Sequence, residues 1–389
     1  MTRHRTLAFI ILFNLFMGAC AMPASPRQAG ESAEVPQGEA QPQAKEPLLT
    51  DTPGSGAPAE SPEAANPAKV RATPTPLVPL DEIISGGPPP DGIPPIDEPK
   101  FVDVEEADEW LNDKEPVIVV EINDIIKAYP LQIMTWHEIV NDQFGDKPVT
   151  VTFCPLCNTA LVFDREVNGT VYDFGTSGRL YNSALVMYDR QTGSWWSQVM
   201  GKAIVGEMTG TQLEFLPAAI LSWVDFKAAH PDGLVLSRDT GYRRPYGANP
   251  YALYDTPGSR PFLFRGKIDP RLDAMERVVG VELNGEAKAY PFSTLAEKRV
   301  VADTVGGQAI VVFYYPGTAS ALDKTTIAES RDVGAAAVFL PDLDGERLTF
   351  DIDQDGNIVD EKTGSVWNIL GEAISGPMQG KKLTPVVHG

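Results

Sequence analysis

Two cysteines separated by a Pro-Leu pair, Cys154-Pro155-Leu156-Cys157, are the residues of this chain best suited to chemistry. They follow a β-branched run, Val149 to Phe153, and a second apolar run, Ala160 to Phe163, begins a few residues later. That spacing leaves no room for a helix after the cysteines, so the pair lacks the helix amino terminus by which thioredoxin-like motifs lower a thiol pKa. The context is a strand-flanking turn that resembles half of a tetrahedral thiolate knuckle, with Asn158 suited to the left-handed conformation that closes it. A second Cys-x-x-Cys is missing, so further ligands must come from elsewhere. His137 and Glu138, on a predicted helix just before the cysteine strand, are the obvious donors. The expected site has Cys154, Cys157 and His137 holding a zinc or copper ion, and Glu138 as a fourth ligand or general base. Two other readings of the cysteines stay open: a reversible dithiol, and a structural disulfide favoured by an oxidising compartment. A ring as short as Cys-x-x-Cys removes little chain entropy, which counts against the purely structural reading.

The chain supplies its own control for these assignments. Val117 to Asp124 leading to Lys127-Ala128-Tyr129-Pro130 is matched, 161 residues later, by Val278 to Gly285 leading to Lys288-Ala289-Tyr290-Pro291. The same offset carries Asp142 to Asp303, Gly145 to Gly306, Phe153 to Tyr314 and Pro155 to Pro316. After an extra segment in the second copy, Thr192-Gly193-Ser194-Trp195-Trp196 aligns with Thr363-Gly364-Ser365-Val366-Trp367. Positions kept in both copies are expected to serve the fold, and chemistry present in one only is expected to serve function. His137 falls on Lys298, Glu138 on Arg299, Cys154 on Tyr315 and Cys157 on Thr318, so none of the four reactive residues is kept at its matching position in the second copy. A glycine-flanked segment, Gly175 to Ser183, is also specific to it; Arg179 and Asn182 are the candidate cofactor-binding residues there, Arg179 for an anion. Trp195, Trp196 and Gln198 are assigned to core with a polar edge.

The elements that must hold these residues are mostly strands. Asn123-Asp124, Asn168-Gly169, Asn284-Gly285 and Asp344-Gly345 each lie between β-branched or alternating runs, the signature of tight hairpins. Helices are expected at 130–141, where Ile133, Trp136 and Val140 recur at helical spacing, and at 217–229. The fold class is α+β, strand-rich, with two tandem related β-rich modules forming one pseudo-symmetric body. The organisation read from the sequence is a lipoprotein signal peptide at 1–19, a Pro/Ala-rich disordered tether at 20–96, and a first module at 97–214 carrying the Cys/His site. A connecting segment at 215–277 and a degenerate second module at 278–389 follow.

Composition and leader set the compartment. With 53 acidic against 32 basic residues and a formal net charge of -21, the protein's field repels a phosphate backbone, which excludes nucleic acid as a partner. Arg3 and Arg5 precede an apolar run, Leu7 to Met17, too short to span a bilayer comfortably, which ends in Met17-Gly18-Ala19-Cys20. Cys20 is therefore expected to be lipidated, anchoring an extracytoplasmic protein to the membrane surface of a bacterial cell envelope. From Ala21 to Lys100 the chain holds 18 of its 34 prolines and no Phe, Trp or Tyr, a composition that cannot bury enough apolar surface to offset its ordering entropy. The protein or small-molecule partner is not specified by the sequence.

Taken together, Trp136-His137-Glu138-Ile139-Val140-Asn141-Asp142, Cys154-Pro155-Leu156-Cys157, Met187-Tyr188-Asp189-Arg190 and Trp196-Ser197-Gln198 resemble the family catalogued as domain of unknown function 3179. Asp239-Thr240-Gly241-Tyr242 and Pro250-Tyr251 also fit that pattern, and the resemblance covers about Val102 to Gly389. In that family the residue after the second cysteine is commonly Gly; here it is Asn158, which suits the same turn. The resemblance implies that His137 and the cysteines belong together and carries no established activity. Cys20→Ala is expected to abolish membrane association while leaving the fold intact. Fractionation in salt high enough to screen charge contacts checks this, and a substituted protein that stays in the membrane pellet would overturn the lipidation reading.

Overall fold

The computed structural model describes residues 74–389; Cys20, the leader and most of the expected tether lie outside them. The described chain is strand-rich with few, short helices, in keeping with the α+β expectation. The first copy builds three sheets with strands lent by the segments on either side of it. One has five strands, in the order Ala219–Ser222, Pro116–Ile122, Ile125–Pro130, Leu234–Leu236 and Phe101–Val102. Another orders Phe215–Leu216, Thr159–Asp164, Lys147–Cys154 and Ile139–Phe144, and the third runs from Ile83–Ser85 through Phe174–Tyr181 and Ala184–Asp189 to Trp195–Ser197 and Lys202–Val205.

All four expected hairpin turns form, and each has two consecutive residues at positive φ: Asn123 and Asp124 at 52° and 61°, Asn168 and Gly169 at 53° and 78°. Asn284 and Gly285 lie at 50° and 81°, and Asp344 and Gly345 at 52° and 82°. Two left-handed residues give the turn a twist that matches its flanking strands, which is why Asn, Asp and Gly occupy these positions.

The offset seen in the sequence recurs in the elements. Val117 pairs with Pro130 as Val278 pairs with Pro291, and helix Leu131–His137 has its counterpart in Phe292–Lys298. Strands Ile139–Phe144 and Lys147–Cys154 correspond to Val300–Val305 and Gln308–Tyr315. Side-chain networks recur with them. Asp142 accepts from Lys127 at 2.8 Å and from Tyr129 at 2.5 Å, and Asp303 pairs with Lys288 and accepts from Tyr290. Trp196 donates its indole N–H to Asp189, and Trp367 donates to Asp360.

Three expectations differ from the structure. The first helix stops at His137, because β-branched Ile139 and Val140 enter the strand that pairs with Lys147–Cys154. The second spans only Trp223–Ala229, capped by the Ser222 side chain, while Ala219–Ser222 extends a sheet beside Pro116–Ile122. The segment expected to be tether through residue 96 is structured in its last part. Ile83–Ser85 pairs with Arg179 to Tyr181, and Ile96 bridges Val140, since Ile83 and Ile96 each bury their side chains in the folded body.

Trp367 is fully buried, in a cluster with Phe313 and Phe339 from the second copy and Trp223 and Phe226 from the connecting segment. Trp367→Ala should therefore cost roughly 3 to 5 kcal/mol, while Lys298→Ala, at an exposed helix position, should stay within about 0.5 kcal/mol of the parent. Denaturant melts of both variants check this, and a harmless Trp367→Ala would show that positions kept in both copies do not carry the core.

Candidate functional site

Pro130 opens helix Leu131–His137, where its fixed φ and missing N–H cost nothing, and Leu131, Ile133 and Met134 turn inward. The helix ends at Glu138, which takes the left-handed conformation (φ 60°) and donates its N–H to Met134 O at 2.8 Å. A non-glycine residue there carries a strain on the order of 1 kcal/mol or more. The Phe153 N–H, which donates to Glu138 O at 2.8 Å, helps hold it in place. The left-handed step sends the two consecutive side chains to different surroundings.

His137 is fully buried, with Nδ1 at 2.7 Å from Pro94 O and Nε2 at 2.7 Å from the Tyr246 hydroxyl. A carbonyl only accepts, so Nδ1 carries the proton and Nε2 accepts from Tyr246, whose oxygen in turn accepts from Thr240 at 2.6 Å. Burial pushes the imidazole down to about 4, against the pull of the Pro94 carbonyl, and Arg244 adds to the lowering. His137 is thus a neutral ring with both nitrogens engaged.

Glu138 is buried. Its Oε1 accepts from Tyr251 OH at 3.1 Å, and burial pushes its carboxyl up to about 7. Cys154 ends the strand Lys147–Cys154 and is buried; Cys157 lies exposed in the turn that follows, and both are free thiols. Asn158 closes that turn at φ 49°, as expected, and the next strand starts at Thr159 with no intervening helix. Cys157 Sγ lies 3.9 Å from Cys154 O. The two thiols diverge in acidity: a hydrogen bond from Cys154 lowers Cys157 against the opposing effect of burial, while burial, reinforced by that same bond, pushes Cys154 well up. Glu138, when ionised, raises both.

The structure places Glu138 near enough to Cys154 and Cys157 to act on both electrostatically, and ties His137 to the amino-terminal segment and the connecting segment instead. Among the described residues, the one group of three His, Cys, Asp or Glu donors lying within 4.8 Å of one another is Glu121, His230 and Glu372; Cys154 and Cys157 form such a group with neither His137 nor Glu138. Nor do Arg179 and Asn182 make a pocket floor together. Asn182 and Ser183, at φ 52° and 64°, form the two-residue turn between Phe174–Tyr181 and Ala184–Asp189, and the Arg179 guanidinium stacks on Trp195 at 4.4 Å. Trp196 and Gln198 are buried, Gln198 donating to Thr152 Oγ1 at 3.0 Å.

Three tyrosines of the connecting segment complete the surroundings. Tyr251 reaches Glu138, Tyr246 reaches His137, and Tyr254 OH donates to Leu156 O at 3.0 Å inside the cysteine turn. The density of Tyr between 242 and 254 was the available signal. At the corresponding place in the second copy, Arg299 takes the same left-handed conformation (φ 63°) and donates to Tyr314 O and Gly356 O. Its guanidinium lies 5.3 Å from the ring of Tyr315, the residue at the position of Cys154. The backbone is kept and the chemistry is filled in.

Sheet, hairpin and buried carboxyl together define a strand-rich protein with two free cysteines in one turn of its first copy. The chain belongs to the family described as protein of unknown function (DUF3179), which matches residues 90–389. Neither the comparison with curated proteins nor that with solved structures gave a match.

A carboxyl raised from near 4.5 to about 7 on folding makes stability depend on pH. Below about pH 4.5 it is protonated in both states; between 4.5 and 7 the unfolded chain releases a proton that the folded one keeps, so stability falls as pH rises. Relative to Glu138→Gln, the parent should lose roughly 3 kcal/mol across that window and then level off. His137, lowered to about 4, slopes the opposite way in both proteins and cancels in the difference. Denaturant melts from pH 4 to 8 check this, and a flat difference would mean that Glu138 is not held neutral.

Proposed function

We propose that Cys154 and Cys157 form a thiol–disulfide exchange centre in which Glu138 handles the proton, in a protein held at the outer face of a bacterial membrane by a lipid on Cys20. The observation that carries this reading is the geometry of the pair: two free thiols in one strand-flanking turn, Cys157 exposed and Cys154 buried, with the buried Glu138 carboxyl in their neighbourhood. An attacking thiol works best with its pKa near the ambient pH, and a resolving thiol needs a base. The helix amino terminus that lowers the thiol in thioredoxin-like motifs has no counterpart here; the neighbouring Cys154 is the group that would favour the Cys157 thiolate instead.

The Cys157 thiolate attacks one sulfur of a substrate disulfide, and a mixed disulfide forms. The first substrate thiolate leaves and takes a proton from water. Cys154 passes its proton to the Glu138 carboxylate and attacks Cys157 Sγ, so the bond to the substrate breaks. The second thiolate departs with the proton that Glu138 returns. The substrate disulfide has become two thiols, and the pair has become a disulfide, reopened by the reverse exchange with an external thiol. Confinement of all three groups to the first copy, with Arg299 and Tyr315 in the matching place, supports assigning the chemistry to that copy.

In the Cys20→Ala chain, which leaves these two thiols alone, Cys154→Ser should trap glutathione on Cys157 from oxidised glutathione, and Cys157→Ser should trap none. Intact-mass spectrometry reads the adduct. Equal, negligible trapping in both would overturn the reading; stoichiometric zinc or copper in the isolated protein, lost when both cysteines are Ser, would assign the pair to metal ligation instead.

A further inference from the structure

Away from the cysteines, three segments converge on one point. Glu121 comes from the strand Pro116–Ile122, His230 caps the carboxyl end of helix Trp223–Ala229, and Glu372 immediately precedes Ala373–Ser375 of the second copy. Their donor atoms lie within 4.8 Å of one another. Packed against Phe226, the His230 ring leaves only a tenth of its side chain exposed. Its buried Nε2 has no hydrogen-bond partner among the described residues and lies 3.5 Å from Glu372 Oε1. A buried imidazole nitrogen without a partner, facing two carboxylates, is poorly accounted for by packing alone.

One cation already sits there. The Lys382 ammonium pairs with Glu121 and, at 3.0 Å, with Glu372 Oε1, while Asn368 donates to Glu372 Oε2 at 2.9 Å. Lys382 satisfies the carboxylates and leaves His230 unused; its side chain is one third exposed. We propose that Glu121, His230 and Glu372 form a site for a divalent transition cation of the zinc type, with Lys382 as the internal cation that holds the carboxylates together until the metal displaces it. Two carboxylates and one imidazole suit such an ion, and a double charge is favoured over a single one between them. The site joins the first copy, the connecting segment and the second copy, so its metal acts as a staple.

The test uses the full chain with Cys20→Ala, Cys154→Ser and Cys157→Ser, which removes thiolate binding from the readout. Calorimetric titration with Zn2+ should show about one equivalent, and the melting temperature should rise with it. Lys382→Met should tighten binding tenfold or more, because the competing ammonium is gone. His230→Gln and, separately, Glu372→Gln should each abolish binding, and melts without metal show whether each variant is folded. No binding even with Lys382→Met, or binding unchanged by both His230→Gln and Glu372→Gln, would overturn the proposal. Weak binding unaffected by Lys382→Met would mean an adventitious surface cation.

Discussion

The site depends on one left-handed residue. At Glu138 the chain leaves a helix and enters a strand within a single step, and that step decides where two side chains go. Were Glu138 helical, Ile139 and Val140 would leave the sheet, and the strand Lys147–Cys154 would lose one of its two partners. The conformation is strained for a residue with a side chain, and the surrounding backbone bonds hold it. The same conformation at Arg299 shows that the constraint belongs to the fold, since there it serves no dithiol.

Around that point the two copies give opposite solutions. In the first, a carboxyl is buried with one tyrosine hydroxyl for company, an unfavourable placement for a charge and a useful one for a proton. In the second, a guanidinium spends its donors on backbone carbonyls beside a tyrosine ring, a placement that satisfies it and leaves nothing to react. The connecting segment accounts for much of the difference, for Tyr246, Tyr251 and Tyr254 all reach into the first copy.

Local chemistry made much of this legible in the sequence. The hairpins were readable because Asn-Asp, Asn-Gly and Asp-Gly pairs at tight turns reflect a backbone requirement. The cysteine turn was readable because two apolar runs left no space for a helix. The partner of His137 was not. Its nitrogens are taken by Pro94 and Tyr246, 43 and 109 residues away, and no spacing rule carries across such loops. Helical periodicity through Val140 misled for a related reason: Ile133, Trp136 and Val140 fit a helix, but pairing with Val151 and Thr152 offered the β-branched residues more than helix continuation did. The last part of the proline-rich segment was misjudged because average composition hides the few isoleucines that anchor it.

That anchoring gives the molecule a mechanical order. Along the chain from its amino-terminal side come the Leu77 N–H on Ile204 O and the pairing of Ile83–Ser85 with Arg179 to Tyr181, then the Pro94 carbonyl on His137, then the bridge of Ile96 to Val140. These contacts stand in series, so a pull entering from that side has to strip the outer strand before it reaches the histidine. A load applied from that side would be spent first on an edge strand, and the helix that carries His137 would feel it only once that strand had gone.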